Sequence, residues 1–280
     1  ASLVGSEMCI RDRANNYGPS YGSAEETFGQ IMKSSFAPYR DELFISTKAG
    51  HDMWPGPYGN WGSRKHLMAS LDQSLKRMNL DYVDVFYSHR YDPETPLEET
   101  LQALVDIVRK GKALYVGLSK YPLDAYLFAS RYLKERDVPC LLYQGRYSML
   151  VREPESQGIL NAVKENGSGF VAFSPLAQGL LTNRYLNGIP DNSRIARGGF
   201  LKKEALTPEV LSKIQALNER AAMRGQSLAE MALAWLLKNE TVTSVIVGAS
   251  SVEQLGDSLK TLNHLSFEEE ELHAIEKILM

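Results

Sequence analysis

Six short apolar runs, each closing on polar residues and each followed by a longer connecting segment, set the strongest limit on how this chain can fold. They are LFISTK (43–48), VDVFYSH (83–89), ALYVGLS (113–119), PCLLYQGRY (139–147), GFVAFSP (169–175) and VTSVIVGAS (242–250). Runs of this length and composition read as strands buried on both faces, the habit of parallel sheets whose crossovers are helices. Between the first two, Leu67, Leu71, Leu75 and Met78 recur at three- and four-residue steps within 63–78, one apolar stripe of a helix laid against the sheet. Similar stripes run through 97–108, 123–133, 159–163 and 210–221. Pro122, Pro154 and Pro208 stand near helix starts, where a missing N–H costs nothing.

This alternation builds either a barrel or a doubly wound sheet, and both gather ligand groups at the C-terminal ends of the strands. A doubly wound dinucleotide site calls for Gly-x-Gly-x-x-Gly after an early strand, and the sequence has none. The expected fold is therefore α/β, a (β/α)8 TIM barrel in one domain over residues 14–280. Residues 1–13, ASLVGSEMCIRDR, offer neither a full apolar strand nor a two-turn helix. They are expected to be a non-native leader, which leaves the barrel incomplete, its first strand missing and its second mostly replaced.

Composition narrows the partners. A net charge of -3 with interspersed signs argues against nucleic acid and against an anionic membrane surface. No stretch approaches the roughly 20 apolar residues of a membrane span. Of two cysteines, Cys140 opens an apolar run, as a buried reduced thiol would, and a cytoplasmic setting is expected. The strand ends carry neither paired carboxylates for glycoside hydrolysis nor a metal-ligand set, so a barrel hydrolase is disfavoured and no metal is expected.

Carbonyl reduction needs a proton donor near the oxygen, a group that tunes the donor and a hydrogen bond that orients the substrate; Tyr, Lys and His can supply these. Tyr17 precedes a glycine-rich loop, Lys48 closes the first run and His89 the second. Taken singly, each is also what a packed loop tyrosine, a strand-end lysine or a structural histidine looks like. Taken together, they end successive strands that a barrel would bring to one mouth.

The set Asp12-x-Ala14-x-x-Tyr17-Gly18, Lys48 and Tyr87-Ser88-His89, with FSPLAQGLL (173–181) and IVGASSVEQ (246–254), resembles the aldo-keto reductase family from about residue 14 to the C-terminus. Within it, DMWPGPYG (52–59), SLKRM (74–78) and NGIP (187–190) are similar to a bacterial branch acting on L-glyceraldehyde 3-phosphate, related to the potassium-channel β subunits. The resemblance implies reduction of small aldehydes, L-glyceraldehyde 3-phosphate and methylglyoxal among them, by hydride transfer from NADPH, in a homo-oligomer. It implies that Tyr17 protonates the carbonyl oxygen, that Lys48 favours the phenolate, that Asp12 holds Lys48 and that His89 orients the substrate. A regulatory cofactor-binding protein like the channel β subunits, or an inactive fragment, are the alternatives.

The same resemblance assigns the cofactor contacts. Ser119 and Gln144 would bond the nicotinamide carboxamide and Phe173 would stack on the ring, though Phe173 also suits core packing. Ser174, Leu176, Gln178, Gly179 and Leu180 would wrap the diphosphate, in a loop that equally fits an ordinary strand-to-helix turn. Gly248, Ser250, Ser251, Gln254 and Asp257 would hold the adenosine 2′-phosphate at a helix N-terminus, or the serines would simply be caps. The sequence departs from the family at Lys120, where Asn is common, at Ser251, where the bacterial branch carries Arg, and at Asp257-Ser258, so a weakened preference for NADPH over NADH is expected. Trp54 and Trp61, with Tyr58, would wall the substrate pocket or pack on their own loop. Arg90 and Lys120 would draw a phosphate or stay solvated.

Overall fold

All six apolar runs form strands in the computed structural model, which describes residues 2, 3, 9–191, 193, 195, 196, 198 and 201–280. The strands are β1 (Ser2–Leu3), β2 (Cys9–Asp12), β3 (Leu43–Ala49), β4 (Val83–Ser88), β5 (Ala113–Ser119), β6 (Cys140–Arg146), β7 (Gly169–Phe173) and β8 (Val242–Ile246). The helices are α1 (Ser23–Ile31), α2 (Arg64–Met78), α3 (Leu97–Arg109), α4 (Leu123–Lys134), α5 (Glu153–Ser156), α6 (Ile159–Glu165), α7 (Pro208–Met223), α8 (Leu228–Leu237), α9 (Val252–Lys260) and α10 (Glu269–Leu279). The chain divides into two compact units, Ala1–Gly145 with Glu155–Val171, and Arg146–Pro154 with Ala172–Met280.

In the first unit β2, β3, β4, β5 and β6 lie side by side in chain order, every pair parallel. β4 is buried along its whole length, which explains why its sequence does not alternate. The stripe on α2 is the face it buries: Leu67, Leu71 and Met78 are fully enclosed and Leu75 nearly so. Ser63 caps that helix by accepting the His66 N–H, and Asn79 ends it in the left-handed conformation. Each strand thus leads into a helix that returns the chain to the start of the next, so every C-terminal strand end faces the same way.

Strand β2 is drawn from the segment expected to be a leader. Cys9 to Asp12 pair in register with Leu43 to Ser46. Residues 1 and 4–8 of that segment lie outside the described residues.

The second unit is mainly helical. α8 is apolar nearly all round and buries Leu228, Met231, Leu233, Trp235 and Leu236. Its start is closed by a capping box between Ser227 and Glu230. α10 is tied back by Arg152–Glu276 at 2.5 Å and Arg224–Glu271 at 2.6 Å. The run expected as a strand over 242–250 pairs only to Ile246, because Ser250 and Ser251 turn instead to the start of α9.

Candidate active site

Three backbone hydrogen bonds carry the strand ladder of the first unit past its last paired residues: Arg13 N–H to Ser46 O, Asn15 N–H to Lys48 O and His89 N–H to Ala49 O. They fix where the side chains of Asp12, Lys48 and His89 can point. Lys48 is wholly buried, and its Nζ lies 2.6 Å from Asp12 Oδ2 and donates to Arg13 O at 2.7 Å. The other carboxylate oxygen of Asp12 accepts from Ser46 Oγ at 2.8 Å and Gln144 Nε2 at 3.2 Å. A buried lysine demands such a counter-charge, since an unpaired ammonium would face a large desolvation cost.

Tyr17 stands over this pair, with Lys48 Nζ 5.1 Å from its ring centroid. Its backbone is held at both ends, its N–H donating to Ala14 O and its carbonyl accepting from Ala24 N–H. The His89 ring meets Tyr17 edge-on at 5.8 Å, and His51 meets His89 in the same manner at 4.5 Å. The four residues Asp12, Tyr17, Lys48 and His89 are therefore brought together around one point. With a phenol as acid, a fixed ammonium behind it and an imidazole beside it, the arrangement can protonate and polarise a carbonyl oxygen.

Burial pushes the His89 imidazole well below the usual histidine range, and the charges of Lys48, Lys120 and Arg90 and the neighbouring His51 push it further. His89 is thus neutral near pH 7 and carries one ring N–H. Its Nδ1 is buried without a hydrogen-bond partner, and so is Ser119 Oγ. Ser119 lies opposite Gln144 in the β5–β6 register. An orphaned hydroxyl next to an amide side chain suits a primary carboxamide, which both donates and accepts, so these residues fit the nicotinamide end of a dinucleotide. Lys120, at the departure from the family, sits just beyond them in the left-handed conformation at φ 56°.

The second unit has a cavity of its own of about 770 Å³, bordered by Ser174, Leu176, Gln178, Gly179, Gly248 and Gln254 among others. The loop on its edge is unusual: Ser174, Ala177, Gln178 and Gly179 all have positive φ. Non-glycine residues seldom hold that conformation, and successive left-handed and right-handed residues turn backbone N–H groups inward to form anion cradles. Phe173 ends β7 just before this loop. Leu180 is buried, and Asp257 also borders the cavity. Ser251 caps α9 through the Gln254 N–H, while Ser250 donates from both N and Oγ to Gln254 Oε1. The capping roles of these serines are therefore filled in fact, while Asp257 holds Lys260 at 2.7 Å.

The expected substrate groups are arranged differently from one another. Arg90 donates from Nε to Gly50 O at 2.8 Å and from NH2 to Asn60 Oδ1 at 2.7 Å, and its guanidinium covers the Trp61 ring at 3.7 Å. Trp54 packs on His66 with ring centroids 5.0 Å apart, and Lys65 lies over Tyr58. Arg90 and Trp61 thus form one unit at the end of β4, whereas Trp54 and Tyr58 pack toward α2. Sequence reasoning missed His51; a histidine two residues past a strand end was the available signal. Among the described residues no cluster of three metal-binding side chains occurs, and no helix is long and apolar enough to cross a membrane.

Comparison with known proteins bears on both halves of the chain. The model of the aldo/keto reductase family matches residues 10–280. The L-glyceraldehyde 3-phosphate reductase of Escherichia coli O157:H7 is 56% identical over 271 residues, covering 95% of this chain and 78% of that protein. A probable voltage-gated potassium channel subunit beta from Arabidopsis thaliana is 35% identical, covering 91% of this chain and 80% of that one. The crystal structure of a thermostable aldo-keto reductase in complex with the inhibitor epalrestat matches with a TM-score of 0.72 at 30% identity, over 95% of this chain and 81% of that chain. That likeness gives the fold as a (β/α)8 barrel, here incomplete.

Proposed function

The chain belongs to the aldo/keto reductase family, and from that premise we propose that it reduces small aldehydes to alcohols with NADPH, L-glyceraldehyde 3-phosphate first among them and methylglyoxal as a second substrate. The observation that carries this reading is the convergence of Tyr17, Lys48 and His89 with Asp12 behind them. The choice of L-glyceraldehyde 3-phosphate is supported by the 56% identity to the bacterial reductase, set against 35% to the channel subunit.

A bound reduced nicotinamide would supply hydride to the carbonyl carbon. Ser119 and Gln144 would hold its carboxamide and Phe173 would pack on its ring. The left-handed loop over 174–180 would take the diphosphate, and Gly248, Ser250, Ser251, Gln254 and Asp257 the adenosine end. His89, neutral, would donate its N–H to the carbonyl oxygen and fix its position. Tyr17 would give that oxygen its hydroxyl proton. Lys48 would stabilise the phenolate left behind, at a site where a fixed ammonium acts more strongly than in water. Asp12 would keep Lys48 charged and aimed.

The test is NADPH consumption by the purified chain with L-glyceraldehyde 3-phosphate and with methylglyoxal. Turnover of both that disappears in Lys48→Met supports the reading. A folded chain that binds NADPH yet reduces neither aldehyde would sink it and favour the regulatory alternative.

A further inference from the structure

His51 and Lys120, close to Arg90 at the strand mouths, have no role in the chemistry above. Strands β3, β4 and β5 are hydrogen-bonded neighbours, Ala49 facing Ser88 and Ser88 facing Leu118. His51 follows the end of β3 by two residues, Arg90 follows β4 by two and Lys120 follows β5 by one. Because adjacent strands stand about 4.8 Å apart, the three emerge along one short stretch of the rim. That stretch lies one step beyond the layer that holds Lys48 and His89. A short aldehyde with its carbonyl at His89 would have that rim beside it, since His51 touches the His89 ring and Arg90 is the next residue.

The groups on that rim are fixed in place. The His51 ring stands edge-on against His89 at 4.5 Å. Arg90 is anchored to Gly50 O, Asn60 and the Trp61 face. Lys120 keeps a left-handed backbone with its N–H bonded to Gln144 O at 3.2 Å. Strained non-glycine conformations concentrate at ligand sites. The charges also feel each other: burial lowers the Lys120 ammonium, and Lys48 and Arg90 lower it further. His51 is brought down to about 4 by burial and by Arg90 and Lys120, with Asp52 acting in the opposite sense. Asp52 and Asp92 act on Arg90 in the opposite sense, while the charges acting on Lys120 are those of Lys48 and Arg90.

We propose that Lys120 and His51, backed by the charge of Arg90, form a subsite for a phosphate ester at the far end of a short aldehyde, with Lys120 setting the preference for phosphorylated substrate. This rests on the reductase reading above and names the residue that gives it selectivity. A compact ammonium suits a phosphate as a point charge, and a neutral imidazole N–H adds a donor.

Lys120→Asn removes the charge while keeping a residue that tolerates left-handed backbone; Lys120→Arg keeps the charge. Steady-state kinetics with NADPH should show Lys120→Asn losing about 10- to 150-fold in kcat/KM for L-glyceraldehyde 3-phosphate, mostly in KM, which is the range of one charge-assisted hydrogen bond. Unphosphorylated L-glyceraldehyde should be little affected, and Lys120→Arg should recover most of the loss. An equal loss with both aldehydes, or no loss, overturns the proposal. Calorimetric titration with glycerol 3-phosphate gives a readout free of turnover: binding to the wild type that Lys120→Asn weakens supports the subsite. Equal binding, or none to the wild type, refutes it. If neither aldehyde is reduced, the reductase reading fails and the calorimetry alone decides the subsite.

Discussion

Lys48 Nζ lies 2.6 Å from Asp12 Oδ2, the lysine fully enclosed and the carboxylate nearly so. Removing one partner of such a pair is far more damaging than replacing both, because it strands a charge away from water. Asp12→Asn should therefore destabilise the protein by about 3–5 kcal/mol, read as a lower urea midpoint at unchanged slope. A double variant Asp12→Asn, Lys48→Met should recover much of the stability and none of the activity.

Tyr17→Phe keeps the ring against Lys48 and His89 but removes the acidic proton. Loss of a positioned general acid lowers turnover by about 10²–10⁴-fold. Dissociation constants for NADPH, measured by protein fluorescence, should not move. An unchanged kcat would contradict the role given to Tyr17.

The two histidines at the mouth set a pH dependence of stability. Both are harder to protonate folded than unfolded, His51 titrating at about 4 and His89 well below the usual value. The unfolded chain therefore binds more protons from pH 6.5 downward, and stability rises with pH over that window. For His51 the loss on acidification begins near pH 6.5 and is complete just below pH 4. Melting temperatures between pH 4 and 7 should fall toward acid, and His51→Gln should flatten the curve; a profile identical to wild type would rule out the His51 contribution.

Helix α1 meets α2 at Gly29, where a methyl group would overlap the Arg77 carbonyl. Gly29→Ala gains helix propensity but overpacks this contact, and overpacking costs about 1–3 kcal/mol. Differential scanning calorimetry should show a lower melting temperature, with no change in which aldehydes are reduced.

The strands of this fold were legible because burial on both faces writes them as unbroken apolar runs, as β4 illustrates. The helices that escaped notice had no such mark. α8 is apolar nearly all round, so it has no stripe to find, and α1 hides its buried face behind Glu25. Lys48 and His89 were readable from their places at strand ends, whereas Tyr17, expected at one too, lies five residues past the end of β2 beside its glycine-rich loop. Asp12 was readable from its spacing to Tyr17, though the residues before it gave no strand pattern, and β2 forms by pairing with β3 rather than from its own apolar content. His51 had only its place two residues past a strand end to mark it, and its ring contact with His89 is something spacing does not encode.

Glu25 is enclosed within the first unit, accepting from Thr47 Oγ1 at 2.5 Å and from Arg77 Nε at 2.8 Å. It belongs to the helix that follows the Tyr17 loop, and Thr47 is the immediate neighbour of Lys48. The buried carboxylate therefore works as a gauge block between the Tyr17 loop and the Lys48 strand, setting the gap between the phenol and the ammonium. A chain that kept every reacting group but lost this spacer would hold the right tools at the wrong separation.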